Sequence, residues 1–234
     1  MMIPYPVFVK RTEDTPKWLP FVTSVGAVLL AFIISAIILA ATGADPVKVY
    51  SYLYKASFGS WGAFSDVIVK ATPLVLIGLG CALAFRMRLW NIGAEGQFFV
   101  GAFMAAAVVM VPLVDLDTTP RWMIVSLMAV LGMLGGALYA LIAGILKAKL
   151  NINEIIITLM LNYIAVLWNN YWIFGKWSEA GFQMTKTFPK VAWLPRLADY
   201  AAKVPAFSGM TLHVGILFGL VAAVIVYLII YRSK

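Results

Sequence analysis

The chain has 234 residues, of which 63% are hydrophobic and only 12% charged; its mean hydropathy of +0.93 excludes an ordinary soluble domain, where about a quarter of residues carry charge. A net charge of +8 suggests a nucleic-acid partner, but the basic residues sit in short segments between apolar runs and form no stripe or binding motif. Membrane topology accounts for them, and nucleic acid is set aside. The single cysteine, Cys81, lies in an apolar run and can form neither an intrachain disulfide nor a metal site, so it reads as a packing residue.

In a bilayer the unit to count is a run of about 20 apolar residues, helical because lipid offers the backbone no other partner. Six such spans are predicted, at residues 22–42, 66–86, 93–113, 122–146, 154–174 and 211–231. The fold class is therefore an all-α, polytopic transmembrane helix bundle, with residues 1–234 forming one transmembrane domain. The first run, Phe21–Thr42, is too long for the apolar core of a cleavable signal, and it is expected to remain as the first span.

The second span carries Lys70, placed to snorkel to the external interface, and Pro73, which kinks or starts the helix. In the fourth span Gly132, Gly136, Ala140 and Gly144 recur every four residues along one face, a small-residue stripe that lets another helix approach closely. Residues 175–210 then make one long connection with Pro189, Pro195, Pro205, Trp177, Phe182 and Trp193. It reads either as a docking surface or as an interfacial loop with aromatic belt residues.

Orientation follows from the basic residues. Lys10, Arg11, Lys17, Arg86, Arg88, Lys147, Lys149, Arg232 and Lys234 fall in short segments on one side, which the positive-inside rule makes cytoplasmic, with both termini inside. On the other side Lys48, Lys55, Arg121, Lys176, Lys186, Lys190, Arg196 and Lys203 are spread over longer loops and mixed with Asp45, Asp115, Asp117, Glu179 and Asp199.

Two polar constellations stand out. The insert from Phe85 to Gln97 reads Phe-Arg-Met-Arg-Leu-Trp-Asn-Ile-Gly-Ala-Glu-Gly-Gln between two apolar runs. One reading makes it a cytoplasmic hairpin, with Arg86 and Arg88 as anchors and Asn91 capping the helix that begins near Gly93. The other makes it a broken helix dipping into the protein, presenting Asn91, Glu95 and Gln97 to a polar solute.

The second constellation is Glu154, Thr158 and Asn162, spaced by four and so sharing a face of the fifth helix. A polar face inside a membrane is expected to turn toward the bundle interior or a water-filled path. Glu154 alternatively serves as a dipole partner at the helix start. Asn169 and Asn170 carry polarity toward the outer end.

Soluble-type catalytic chemistry is excluded. The only histidine, His213, sits near the outer end of the last span, no nucleophile pairs with a base, and no phosphate loop is present. The chain is expected to be a transport protein and no enzyme, with no metal and no cofactor. Two transport readings compete: a subunit energised by a separate ATPase, and a self-sufficient secondary carrier coupling ions through Glu95 or Glu154.

The residues Thr72-Pro73-Leu74, Gly78-Leu79, Phe85-Arg86, Asn91-Ile92-Gly93-Ala94-Glu95-Gly96-Gln97 and Asn153-Glu154, with Thr158-Leu159-Met160-Leu161-Asn162-Tyr163, resemble the permeases of ABC importers for nucleosides and simple sugars, relatives of the ribose and branched-chain amino-acid permeases. The resemblance covers nearly the whole chain, and the run from Asn91 to Gln97 looks more like the nucleoside branch. It implies a second permease subunit, a cytoplasmic ABC ATPase, an extracytoplasmic solute-binding protein and a nucleoside or sugar as cargo. The setting implied is the cytoplasmic (inner) membrane of a bacterium or archaeon. Such permeases usually run on past the point where this sequence stops at Arg232-Ser233-Lys234, and their coupling segment follows there. The chain is thus expected to be the N-terminal part of a longer permease, with the ATPase contact unassigned in it.

Overall fold

The computed structural model describes residues 16, 18–111, 113–179, 181–182 and 184–232. Lys10, Arg11, Lys17 and Lys234, part of the basis for placing both termini inside, lie outside the described residues. The described residues hold α-helices and short 3-10 turns, and their helices divide between two compact units, Met1–Gly59 and Ser60–Lys234.

The first unit contains α1 (Leu19–Ala41) and α2 (Pro46–Phe58). At 1.5 Å per residue α1 rises about 35 Å, enough to cross the hydrocarbon core, and none of its residues is buried by protein. Asp45 starts α2 as N-cap, accepting from Val47 N and Lys48 N with Pro46 at the first helical position. The Tyr50 hydroxyl donates to Phe32 O at 2.7 Å, and the two rings meet edge to face. α2 falls in a stretch read above as loop. It is too short to span and carries Lys48 and Lys55, so hydropathy gives no sign of it.

The second unit contains α3 (Trp61–Arg86), α4 (Ala94–Met110), α5 (Arg121–Leu150), α6 (Glu154–Phe174) and α7 (Gly215–Arg232). Three 3-10 turns, Lys190–Ala192, Leu197–Tyr200 and Pro205–Phe207, punctuate the connection between α6 and α7. Five helices, α1, α3, α5, α6 and α7, are long and apolar enough to cross a membrane. α4, at 17 residues, rises only about 25 Å.

Helix ends depart from the predicted spans where local hydrogen bonds decide them. α3 starts earlier, because Ser60 Oγ accepts from Ala63 N as an N-cap, and it runs through Pro73 without ending. α4 stops at Met110, since Val111 is extended and precedes a proline in the sequence, a position that disfavours helix. α5 extends to Leu150 and ends on Asn151, whose φ of 50° is the left-handed conformation asparagine tolerates. Asn153 then caps α6 by accepting from Ile155 N.

α7 starts at Gly215 and not at residue 211, because the preceding residues bond elsewhere. Thr211 N donates to Ser65 Oγ at 2.9 Å, Thr211 Oγ1 donates to Asp66 Oδ1, and His213 Nδ1 accepts from Gly215 N.

α4 packs between α5 and α6, while α3 pairs with α7. On α5 the first half of the small-residue stripe meets α4 closely: a Cβ on Gly132 would lie 3.2 Å from Gly101 O, and one on Gly136 would lie 3.1 Å from Gln97 O. Gly101 answers from α4, where an added Cβ would stand 2.9 Å from Gly132 O. Gly144 does not continue this seam, and Ala140 lines the cavity described below. Space around Gly144 is open to 4 Å, because α4 begins only at Ala94 and leaves the last turns of α5 uncovered.

Candidate functional site

The uncovered part of α5 forms one wall of a cavity of about 620 Å³, bounded also by the end of α3, the start of α4 and the start of α6. Its lining includes Trp90, Asn91, Gln97, Ala140, Gly144, Lys147, Glu154 and Thr158. The sequence motifs thus converge from positions far apart in the chain.

The connection between α3 and α4 is shaped by a helix stop. Arg88 takes φ 59°, Leu89 N donates to Ala84 O and Arg88 N to Phe85 O, the paired bonds of a Schellman ending. Arg88 therefore occupies the left-handed position that glycine usually fills. From there the chain runs inward, and α4 starts alongside Thr158, four residues into α6 and so about 6 Å below its first residue. α3 and α4 are thus joined by a recessed connection.

Asn91 and Gln97 straddle the start of α4 and bond each other twice. Asn91 Nδ2 donates to Gln97 Oε1 and Gln97 Nε2 donates to Asn91 Oδ1, both at 3.1 Å, closing an amide ring at the cavity wall. Asn91 Oδ1 also accepts from Gly93 N at 3.1 Å, but Gly93 is the N-cap of α4, so Asn91 stands two residues ahead of the cap and does not cap the helix as expected. Glu95 is exposed in the first turn of α4, away from the cavity lining, where a carboxylate suits the positive end of the helix dipole.

On α6 the four-residue spacing does place Glu154, Thr158 and Asn162 along the side that meets α4 and the cavity. Thr158 is buried and its hydroxyl donates to Glu154 O at 2.7 Å. Asn162 bonds backbone on both sides of α4's start, accepting from Gly96 N at 2.7 Å and donating to Ile92 O at 2.8 Å. Glu154 Oε2 meets Lys147 Nζ at 2.9 Å. Sequence reasoning treated Lys147 as a topology anchor only. The signal for its second role was the pair Asn151 and Asn153, a left-handed helix end followed by an N-cap, which folds α6 back against α5.

A second cavity, of about 710 Å³, lies at the opposite end of α5. Its wall is apolar apart from Ser126, Arg196, His213 and the Trp193 indole, and none of the sequence-predicted site residues reaches it. The connection between α6 and α7 folds over this end. Arg121 Nε donates to Trp193 O at 2.7 Å, the Arg196 guanidinium lies 4.5 Å from the Trp193 ring centre, and Asp199 faces both arginines. The Asp199 carboxyl is held below the usual range by the Arg196 backbone N–H and by the charges of Arg196 and Arg121. Trp177, read only as a loop aromatic, is buried and stacks on Phe103 at 4.9 Å beside Trp172.

The model of the family described as "Branched-chain amino acid transport system / permease component" matches residues 63–234. The chain is 32% identical over 227 residues to the glucose ABC transporter permease protein TsgB13 of Haloferax volcanii, covering 95% of this chain and 58% of that protein. It is 33% identical over 211 residues to the guanosine ABC transporter permease protein NupP of Bacillus subtilis, covering 88% and 57%. To the nucleoside ABC transporter permease protein NupB of Lactococcus lactis it is 28% identical over 209 residues, covering 88% and 56%. The chain thus spans somewhat over half the length of these curated relatives. No solved structure matches.

Proposed function

Because the chain belongs to the branched-chain amino acid transport system permease family, we propose that it is the membrane-spanning subunit of an ATP-driven ABC importer that carries nucleosides or related simple sugars. The observation that carries the substrate class is identity of 32% and 33% to a glucose and a guanosine permease across most of this chain. On this reading ATP is hydrolysed by a separate cytoplasmic ABC ATPase, a second permease subunit completes the pathway, and an extracytoplasmic solute-binding protein delivers the cargo. The membrane is the cytoplasmic membrane of a bacterium or archaeon, with the N-terminus inside. Arg86, Arg88, Lys147 and Lys149, at the ends of α3 and α5, support placing the 620 Å³ cavity on the cytoplasmic side.

The cavity supplies a physical route for such a solute. A nucleoside or sugar sheds water from hydroxyls as it enters the bundle and needs replacement donors and acceptors of modest strength. Asn91 and Gln97 offer amides already bonded to each other, so they can exchange that bond for one to solute without leaving a group bare. Thr158 and Glu154 line the same space, and Trp90 adds an aromatic surface. Ion coupling through a free carboxylate finds less support, because Glu154 is already paired with Lys147 and Glu95 stands outside the cavity.

The test is uptake of tritiated nucleosides and glucose into cells that express the full-length permease with its neighbouring ATPase and binding-protein genes. Uptake of either class that collapses when the ATPase is inactivated is the expected result. Uptake that persists without the ATPase and follows the proton gradient would sink the importer reading in favour of a secondary carrier.

A further inference from the structure

We propose that Asn162 is a positioning residue that caps α4 from a neighbouring helix and thereby sets where the cavity's amide pair stands; this rests on the permease reading of that cavity. A helix leaves its first N–H groups without partners inside the helix, and an N-cap side chain ordinarily accepts from one of them two or three residues on. α4 has no such side chain of its own, because its N-cap is Gly93. The N–H at the position a cap would serve belongs to Gly96, and it donates to Asn162 Oδ1 at 2.7 Å. Through Nδ2 the same amide holds Ile92 O at 2.8 Å, just ahead of the helix. One side chain on α6 therefore grips the chain on both sides of the point where α4 begins.

The fit requires glycine on the other side. A Cβ on Gly96 would stand 2.7 Å from Asn162 Oδ1 and 3.0 Å from Asn162 Cα, and one on Gly93 would stand 2.9 Å from Thr158 Cβ. Both glycines are buried. Asn91 lies just before this start and Gln97 just after Gly96, so the grip fixes the span that their two hydrogen bonds bridge. Both functions of the Asn162 amide are occupied by backbone, which suits a residue that holds the site in place better than one that binds solute directly.

The experiment uses the full-length permease in lipid nanodiscs with glycine amides labelled by ¹⁵N, and follows hydrogen exchange at Gly96. Asn162→Leu keeps volume and removes both hydrogen bonds; Asn162→Asp keeps the acceptor. Exchange at Gly96 is expected to speed up about tenfold in Asn162→Leu, the size of a lost cap, and to stay within about twofold of the parent in Asn162→Asp. An unchanged rate in Asn162→Leu, or equal acceleration in both variants, overturns the proposal. Thermal unfolding gives a second arm. Gly96→Ala displaces the same oxygen, so combined with Asn162→Leu it should cost less than the sum of the two single losses, whereas strict additivity counts against the cap. The exchange measurement needs no solute, so its result stands apart from the uptake assay that tests the transport reading.

Discussion

Lys147 Nζ sits 2.9 Å from Glu154 Oε2 across the turn between α5 and α6, at the rim of the cavity that holds Asn91 and Gln97. The pair joins the end of one helix to the start of the next, and each charge also suits the dipole end it occupies: a cation at the C-terminus of α5 and an anion at the N-terminus of α6.

Reversing either charge should therefore lower the thermal unfolding temperature through two effects of the same sign, a like-charge contact and an adverse dipole. Exchanging both charges restores the pair but keeps both dipole penalties. The double variant is expected to recover part of the loss, and the recovered part should shrink as salt is raised. Single reversals that unfold with the parent protein would refute a stabilising role for this contact.

The two ends of the small-residue stripe should respond differently to bulk. Gly136→Leu meets Gln97 O, and overpacking of this kind costs about 1–3 kcal/mol. Gly144→Leu faces open space, so it should leave assembly intact while filling part of the cavity and slowing uptake. Protease resistance and gel-filtration profile report the first effect, and uptake per folded molecule reports the second. A Gly144→Leu protein that transports at the parent rate would place the solute path elsewhere.

Arg88→Gly should stabilise the protein by about 0.5–1 kcal/mol, since glycine adopts the left-handed conformation without the steric penalty a side chain meets there. Arg88→Ala is the control, for it removes the charge and keeps the penalty. Chemical unfolding in mild detergent compares the two. A gain in both variants would assign the effect to charge and not to backbone conformation.

The segment between α6 and α7 should weaken in mild acid. Burial, and then the nearby Arg196 charge, hold the His213 pKa below its usual value, so the unfolded segment takes up a proton more readily than the folded one. The stabilisation is complete above the unfolded pKa of about 6.5 and is lost as pH falls from there through the lower folded value. His213→Asn keeps an acceptor for the Gly215 N–H and removes the titration. Its stability should then be flatter between pH 7.5 and pH 5, as read by hydrogen exchange of residues 190–214. A parent protein with no acid weakening in that segment would contradict this account.

Hydropathy made the long helices legible, because a run of apolar residues has one stable form in lipid. α2 escaped it, being short and mixed in character. The start of α3 depends on the bond that Ser60 Oγ accepts from Ala63 N, and the start of α7 on the bonds that hold Thr211 and His213, none of which hydropathy weighs. Four-residue spacing placed Glu154, Thr158 and Asn162 on one side of α6, since that arithmetic is local to a helix. What the Asn162 amide does there could not be read from spacing, because its partner Gly96 is 66 positions away. The reciprocal bonds of Asn91 and Gln97 were hidden for a related reason: they depend on where the intervening chain turns into helix.

The segment between α6 and α7 has mechanical consequences. Trp177 clamps its beginning to α4 through Phe103, Arg121 fastens its middle to α5, and Thr211 ties its end to α3. It acts as a strap laid across this end of the bundle from the trio of α4, α5 and α6 to the pair of α3 and α7. If the trio rocks against the pair, the strap is the fulcrum at that end, and displacement grows with distance from it. The largest excursions then fall at the far end, where the amide ring and the Lys147 to Glu154 contact are found.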